Sequence, residues 1–555
     1  MHRSSLLGVV AIAAIALAYA MPMQSVGCAQ SAHYAAIRSI AEGHPFIDRY
    51  ANETCDLVRS DGHYYAAKGP ALDIWTAPFY LVLRAAHAVP KNPNAHLRYP
   101  DAMAGVPLRA IWQIGLWAVV LPALGLLLLM RRTVDRLEPG LGIAVAAILG
   151  LATIVLPFST LLFAHVPAAA LAFLSFALLF GRDRTPLRVA AAGAAAGLAI
   201  ATDLPLAVPA VVLGLYAAAG APRLRRLVAF AAGGVVGMLP LWVFNVWAFG
   251  NPLHLAYAGE PGQGAAGSWQ QTGFFGQGLP SFRVLVEVLL SQRGLLVVTP
   301  VVAAAAAGTL LLWRRGLRSE AGLVATLTVV ELIWNSARQP TAFAIGGWSP
   351  GPRFLIPLLP FLCFALAPAL RRRPATVGAL ALVSAGVMVV ATSAEPLLQN
   401  DDTRHWLSRI GHGNFTPTVV SIGGVGHGWL AIVPFYAFVL VAAAAAIAAT
   451  RLPVERRDLA TAAAAIVAWL LVEHGAPELL RVDRGVHQSY GLLAAVLLVA
   501  ACAWAALRLR PEGLPLLAFA TIRTADHTKW ALLLVVLVLV ALAVSERVRR
   551  APVPA

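Results

Sequence analysis

Apolar runs long enough for a helix to cross a bilayer, roughly 18 residues or more, recur along almost the whole chain. Short polar breaks separate them. In lipid, a spanning segment must satisfy its own backbone hydrogen bonds, so such runs predict helices. The pattern places them at about Leu6–Met23, Pro107–Met130, Leu141–Phe163, Val166–Phe180, Val189–Ala201, Leu204–Ala219 and Val228–Phe249. Further runs follow at about Leu295–Trp313, Ala321–Asn335, Phe354–Leu370, Ala375–Ala391, His427–Ala449, Leu459–Val472 and Tyr490–Leu507. Trp530–Val544 is also apolar enough to span. The predicted fold class is an all-α polytopic membrane protein with about 13–15 transmembrane helices.

One stretch breaks the pattern. From Gln24 to about Val106 the chain is polar, with Asp48, Glu53, Asp56, Asp61, Lys68 and Asp73 among several histidines and tyrosines. Within it, Tyr34, Ile37 and Ile40 recur at helical spacing, which predicts a short helix over Ser31–Glu42. Leu72–Val89 has helical length but contains Pro78 and Arg84, and reads as an amphipathic helix lying in the membrane interface. The chain thus divides into a first transmembrane helix (1–23), a polar loop with interfacial helices (24–106), a helical core (107–392) and a C-terminal membrane region (393–555). Ala18-Tyr19-Ala20 resembles a signal cleavage site. An uncleaved first helix is the reading adopted, and either leaves the polar loop on the same side. Phe282–Gln292 reads as a helix lying on the membrane. At the C-terminus, Arg547, Arg549 and Arg550 favour the inside while strict alternation puts them outside. Either Leu514–Ala520 is re-entrant or one helix is misassigned.

Composition adds orientation. Hydrophobic residues make up 59% of the chain and charged ones 12%, about half the charge of a soluble protein. The net charge of +16 comes from arginine clusters between apolar runs, such as Arg131-Arg132, Arg314-Arg315 and Arg371-Arg372-Arg373. They recur at every second loop, which is the positive-inside pattern and not a nucleic-acid face. The polar loop therefore falls on the extracytoplasmic side. Cys28 and Cys55 both lie in it, either as a disulfide or as two thiols. Cys363 and Cys502 lie in apolar helices. No zinc spacing and no phosphate-cradling glycine loop is present.

Placed on this topology, Asp48, Asp56, Lys68, His165, Asp203 and Arg353 all reach the outer face. Asp56 and Lys68 lie a dozen residues apart across Asp61-Gly62-His63-Tyr64-Tyr65, and Gly62 suits a tight turn. A carboxylate beside a cation and aromatic faces suits sugar transfer. The carboxylate takes a hydroxyl proton, and the cation stabilises a leaving phosphate. Glu331, in the outer half of its helix, is costly unless paired, with Arg338 and Arg353 as candidate partners.

This layout resembles the GT-C superfamily of polyprenyl-phosphate-sugar-dependent glycosyltransferases, which includes protein O-mannosyltransferases and lipid A aminoarabinose transferases. His33-Tyr34-Ala35-Ala36-Ile37 resembles the helix after that family's acidic pair. The stretch from Asp61 to Pro70 resembles its Tyr…Lys-Pro-Pro turn. Gly347-Trp348-Ser349-Pro350-Gly351-Pro352-Arg353-Phe354 resembles the start of a later helix. The resemblance implies an integral plasma (inner) membrane enzyme that transfers a sugar, with inversion, from a polyprenyl-phosphate donor to a glycan, lipid or protein acceptor. It implies Asp56 or Asp48 as base, with Lys68 and Arg353 on the phosphate. Tyr64, Tyr65, His63, His165, Asp203 and Trp348 would line the substrate site. No cofactor is implied; a divalent cation held by His63 or His165 with a carboxylate is the open alternative. One departure stands out. The family's acidic pair falls on Gln30 and Ser31, neither of which is a base. A transporter or flippase, or a non-catalytic relative acting as a scaffold, are the rival readings.

Overall fold

The computed structural model describes residues 2–90, 96–220, 222–255, 260–261, 276–338, 344–397, 403–450 and 452–475. The runs at Tyr490–Leu507 and Trp530–Val544, and the orientation of the C-terminal arginines, lie outside them.

The molecule is a polytopic helical membrane protein. Its first helix, α1 (His2–Ala20), emerges into the polar loop. Among the described residues, five helices are long and apolar enough to cross a membrane: Leu108–Leu137, Arg223–Phe249, Arg353–Arg372, Pro374–Ser393 and Trp429–Thr450. A sixth crossing is made if Phe282–Val298 and Pro300–Arg314, bent by 103°, count as one. Gly142–Leu151, His165–Leu179, Pro186–Thr202 and Leu204–Ala217 are apolar but shorter.

Two predicted runs are broken. The run Leu141–Phe163 ends its first helix at Leu151. The Thr153 hydroxyl donates to the Leu149 carbonyl and accepts from the Val155 N–H, and Pro157 has no N–H to continue the ladder. The run Leu295–Trp313 breaks at Pro300 for the same reason. Both breaks are invisible to hydropathy, because the residues around them are as apolar as a helix.

Close helix packing is set by glycines. Pro186–Thr202 lies against Arg223–Phe249, with Gly193 and Gly197 meeting the backbone of Phe230 and Gly234, and Gly233 and Gly237 meeting that of Ala190 and Ala194. A Cβ on Gly193 would sit 1.9 Å from the Phe230 carbonyl oxygen, and one on Gly233 1.8 Å from that of Ala190. Between membrane helices there is no hydrophobic drive, so such small-residue stripes supply the backbone contact.

The arginine clusters meet at one end of the bundle. Glu138 pairs with both Arg315 and Arg371. Arg184 donates to the carbonyls of Tyr216 and Ala217, and the Tyr216 hydroxyl donates to Glu320 at 2.9 Å. Helix Arg353–Arg372 ends in this layer and begins at the opposite one. Its length of about 30 Å is that of a hydrocarbon core.

At the opposite end sits the polar loop. It is built from α2 (Cys28–Ala41), a 3₁₀ turn at Asp48–Glu53, strands β1 (Leu57–Ser60) and β2 (His63–Ala66), and α3 (Ala71–Ala85). The hairpin is the main departure from the sequence reading, which placed no strand here. Asp61 and Gly62 both take positive φ, 49° and 85°, the primed turn that Asp-Gly favours. A short strand, β3 (Glu260–Pro261), pairs with β1 to complete a three-stranded sheet. Arg38 is fully buried in this loop. It pairs with Glu53 and lies 4.0 and 3.7 Å from the ring centroids of Tyr34 and Tyr50. On α3 the side chains of Leu72, Asp73, Thr76 and Tyr80 are buried, while Trp75, Leu81 and Val82 are exposed. That is the amphipathic division the sequence predicted.

Candidate functional site

The site begins with the hairpin. Asp56 stands just before β1 and Lys68 just after β2. The register pairs Leu57 with Ala66, so the two side chains meet at the open end of the ladder. The Lys68 ammonium donates directly to the Asp56 carboxylate. Asp56 is further fixed from behind. Its N–H donates to the Thr54 hydroxyl, which in turn donates to the Cys28 carbonyl at 2.7 Å. Cys28 and Cys55 form a disulfide that ties this corner to α2.

Gly69 then seats the corner on the bundle. A Cβ there would lie 2.6 Å from the Thr202 carbonyl oxygen and 2.8 Å from that of Ala201. No side chain fits, so the loop backbone rests directly on the end of helix Pro186–Thr202. The next residue of that helix end is Asp203, whose Oδ2 lies 2.6 Å from Nδ1 of His165. The Lys68 charge acts on both members of this pair.

Arg353 arrives from a third direction, at the start of its helix. Its guanidinium feels the charges of Asp56 and Asp203 and lies 5.4 and 5.1 Å from the rings of Phe163 and Phe354. Phe354 also meets His165, centroids 5.5 Å apart. Among the described residues Arg353 forms no ion pair, and its buried Nε has no hydrogen-bond partner. A partly buried guanidinium with unspent donors, within the field of a carboxylate–ammonium pair, has the chemistry to accept an anion.

Asp56, Lys68, His165, Asp203 and Arg353 are thus brought together. The remaining candidates sit elsewhere on the loop. Asp48 accepts from the Tyr64 N–H and lies beside His63 Nδ1, both at 2.6 Å. This pair braces the exposed side of the hairpin, where His44, Phe46 and His63 stack in series. Tyr64 packs against the small core that includes Ala35, Ile47, Tyr50 and Leu57. Tyr65 is buried. Its hydroxyl donates to the Ala248 carbonyl at 3.1 Å and its ring lies 4.5 Å from Phe249, so it anchors the hairpin to helix Arg223–Phe249. Trp348 is half exposed on a loop held by Arg293, which donates to the carbonyls of Gly347 and Ser349.

Gln30 is fully buried. Its amide donates to the Ser25 carbonyl at 2.7 Å and its oxygen accepts from the Leu162 N–H at 3.2 Å. Ser31 bonds the carbonyls of Gly27 and Cys28. Both residues join α2 to its surroundings. Glu331 is buried and makes no ion pair with Arg338 or Arg353, although the Arg338 charge acts on it.

Sequence reasoning passed over the pair His33–Asp73, buried and 2.7 Å apart. Burial pushes the Asp73 carboxyl above its ordinary range, opposed by His33 and by Lys68. The pair joins α2 to the first turn of α3, directly behind the Lys68 corner. No spacing links residues forty positions apart on two short helices, so only the fold reveals it. His63 and His165 each meet a single carboxylate. Among the described residues no three His, Cys, Asp or Glu side chains gather to hold a metal ion.

No protein-family model and no curated protein matches the sequence. Among solved structures, the chain is similar to ArnT from Cupriavidus metallidurans in the apo state, at 15% identity and a TM-score of 0.46, over 92% of this chain and 81% of that one.

Proposed function

We propose that the chain is a GT-C-type glycosyltransferase that moves a sugar from a polyprenyl-phosphate donor to an acceptor hydroxyl, with inversion, at the extracytoplasmic membrane face. The observation that carries this reading is the gathering of Lys68, Asp56 and Arg353, which forms no ion pair among the described residues, at the bundle end remote from the arginine clusters. A charged lipid head group is held at that depth, where its chain can stay in the bilayer.

The acceptor oxygen attacks the anomeric carbon and its proton passes to Asp56. The bond from that carbon to the phosphate oxygen breaks, and the electron pair leaves on the phosphate. Lys68 and Arg353 stabilise the charge that develops there. Asp48 is the alternative base, from a different corner of the hairpin. The Cys28–Cys55 disulfide supports the choice of side, since such bonds persist in oxidising compartments. The acceptor is a glycan, a lipid or a protein.

The test is transfer from a purified polyprenyl-phosphate sugar, comparing Asp56→Asn and Asp48→Asn with the unaltered protein. Loss of about a hundredfold or more in Asp56→Asn is expected. Full activity in both variants would remove the base assignment. If no donor of this class is bound or consumed, the reading itself fails.

A further inference from the structure

Among the described residues, Glu331 is the one buried acid that the proposed chemistry leaves unused and that makes no ion pair or hydrogen bond. It lies near the site end of helix Arg318–Ser336, 6% exposed. Among the described residues its carboxyl makes no ion pair and no hydrogen bond. An acid in that position is unfavourable in a membrane protein unless something is gained from it.

Its surroundings say what that is. Asn335 follows one turn later on the same helix face. Its amide donates to the Ala344 carbonyl at 2.6 Å and accepts from Arg338 Nε at 3.1 Å. Arg338 lies 3.5 Å over the ring of Phe354, the neighbour of Arg353. The charges of Arg338 and Asp203 both act on Glu331. The end of this helix therefore lies towards the Arg353 corner, and Glu331 is its buried carboxyl without an ion pair among the described residues.

We infer that Glu331 binds hydroxyl groups of the sugar carried by the lipid donor and so sets which sugar is accepted. This rests on the glycosyltransferase reading above. A carboxyl group suits the task in either protonation state. Ionised, it accepts two hydroxyl protons; neutral, it accepts one and donates one. The lipid phosphate sits on Lys68 and Arg353, and the sugar attached to it reaches the neighbouring wall.

The experiment measures binding to the full-length protein in nanodiscs. The probes are polyprenyl phosphate without sugar and the same lipid bearing glucose, mannose, galactose or arabinose. Unaltered protein is compared with Glu331→Gln and Glu331→Leu, and the thermal midpoint of each is recorded. The expected result is that Glu331→Leu weakens the preferred sugar-bearing lipid by about 10- to 100-fold, while bare polyprenyl phosphate binds within about twofold of the unaltered protein. The midpoint stays level or rises, because an unpaired buried acid has been removed. Three results would overturn the inference: no preference among the sugars in the unaltered protein, equal weakening of bare and sugar-bearing lipid, or a fall in midpoint in both variants. Failure of the unaltered protein to bind any of these lipids would instead overturn the glycosyltransferase reading.

Discussion

Replacing Gly69 by alanine would place a methyl carbon 2.6 Å from the Thr202 carbonyl oxygen and 2.8 Å from that of Ala201. Ordinary contact begins at 3.4 Å, so the nearer clash is short by 0.8 Å. Both obstacles are backbone atoms at a helix end and cannot rotate away. The loop must lift by about 1 Å, at a stability cost of about 1–3 kcal/mol by analogy with overpacked cores. Lys68 precedes the clash and Asp203 follows Thr202, so the lift separates the two halves of the site. A misplacement of about 1 Å costs on the order of 100-fold in rate, or about 2.7 kcal/mol of activation free energy. The assay is kcat/KM for transfer from a polyprenyl-phosphate sugar, with the thermal midpoint measured in parallel. Gly62→Ala is the control. It lies at the hairpin tip with φ of 85° and open space around it. It adds backbone strain of about 1–2 kcal/mol and leaves transfer within about threefold. If Gly69→Ala transferred at the full rate, seating of the loop on Thr202 would not be what aligns Lys68 with Asp203.

Arg353→Gln removes the cation with unspent donors, and bare polyprenyl phosphate should bind about 10- to 100-fold more weakly, read by titration in nanodiscs. Cys28→Ser opens a cross-link between residues 27 positions apart, worth about 3.5 kcal/mol to the polar loop in the chain-entropy account. Limited proteolysis should then cut between residues 28 and 70 well before the helical bundle; an unchanged cutting rate would refute it. Asp73 gives a pH prediction. Burial holds its carboxyl above the ordinary range in the folded protein. The stability it contributes is therefore full below that range and is lost as pH rises through the raised value. Thermal midpoints measured from pH 4 to 8 should fall more steeply for the unaltered protein than for Asp73→Asn, and equal slopes would count against it.

Hydropathy and arginine placement made the helical architecture legible, because the bilayer imposes one solution on each long apolar run. The breaks at Thr153 and Pro300 were not legible in that way, since hydropathy is blind to a hydroxyl that diverts a backbone bond and to a proline that has no N–H to give. The hairpin had a signal. Asp61-Gly62 is a primed-turn dipeptide, and reading it as a turn alone missed the ladder that places Asp56 opposite Lys68. That dozen-residue spacing singled out the pair in the sequence, and the register of β1 and β2 explains it. Asp48 carried the same sequence signal as Asp56, a carboxylate in a polar loop. The fold separates them by giving Asp48 a brace to hold and Asp56 a cation. Asp203 and His165 could be placed on one side of the membrane, but their bond could not be foreseen, because it depends on how two helix ends meet.

The five groups of the site come from four separate pieces of chain. Asp56 and Lys68 flank the hairpin, His165 opens one helix, Asp203 closes another, and Arg353 opens a third. No direct bond holds the hairpin to Asp203 or to Arg353 among the described residues, so their alignment depends on how the pieces are seated. Gly69 seats the loop on Thr202. Gly193, Gly197, Gly233 and Gly237 hold the helix that carries Thr202 against the helix whose last turns, at Ala248 and Phe249, receive Tyr65. The hairpin therefore touches both members of one glycine-packed helix pair, and any change in their separation shifts Lys68 relative to Asp203. Lipid offers no hydrophobic drive to restore that separation, so the smallest residues of the chain set the geometry of its most charged ones.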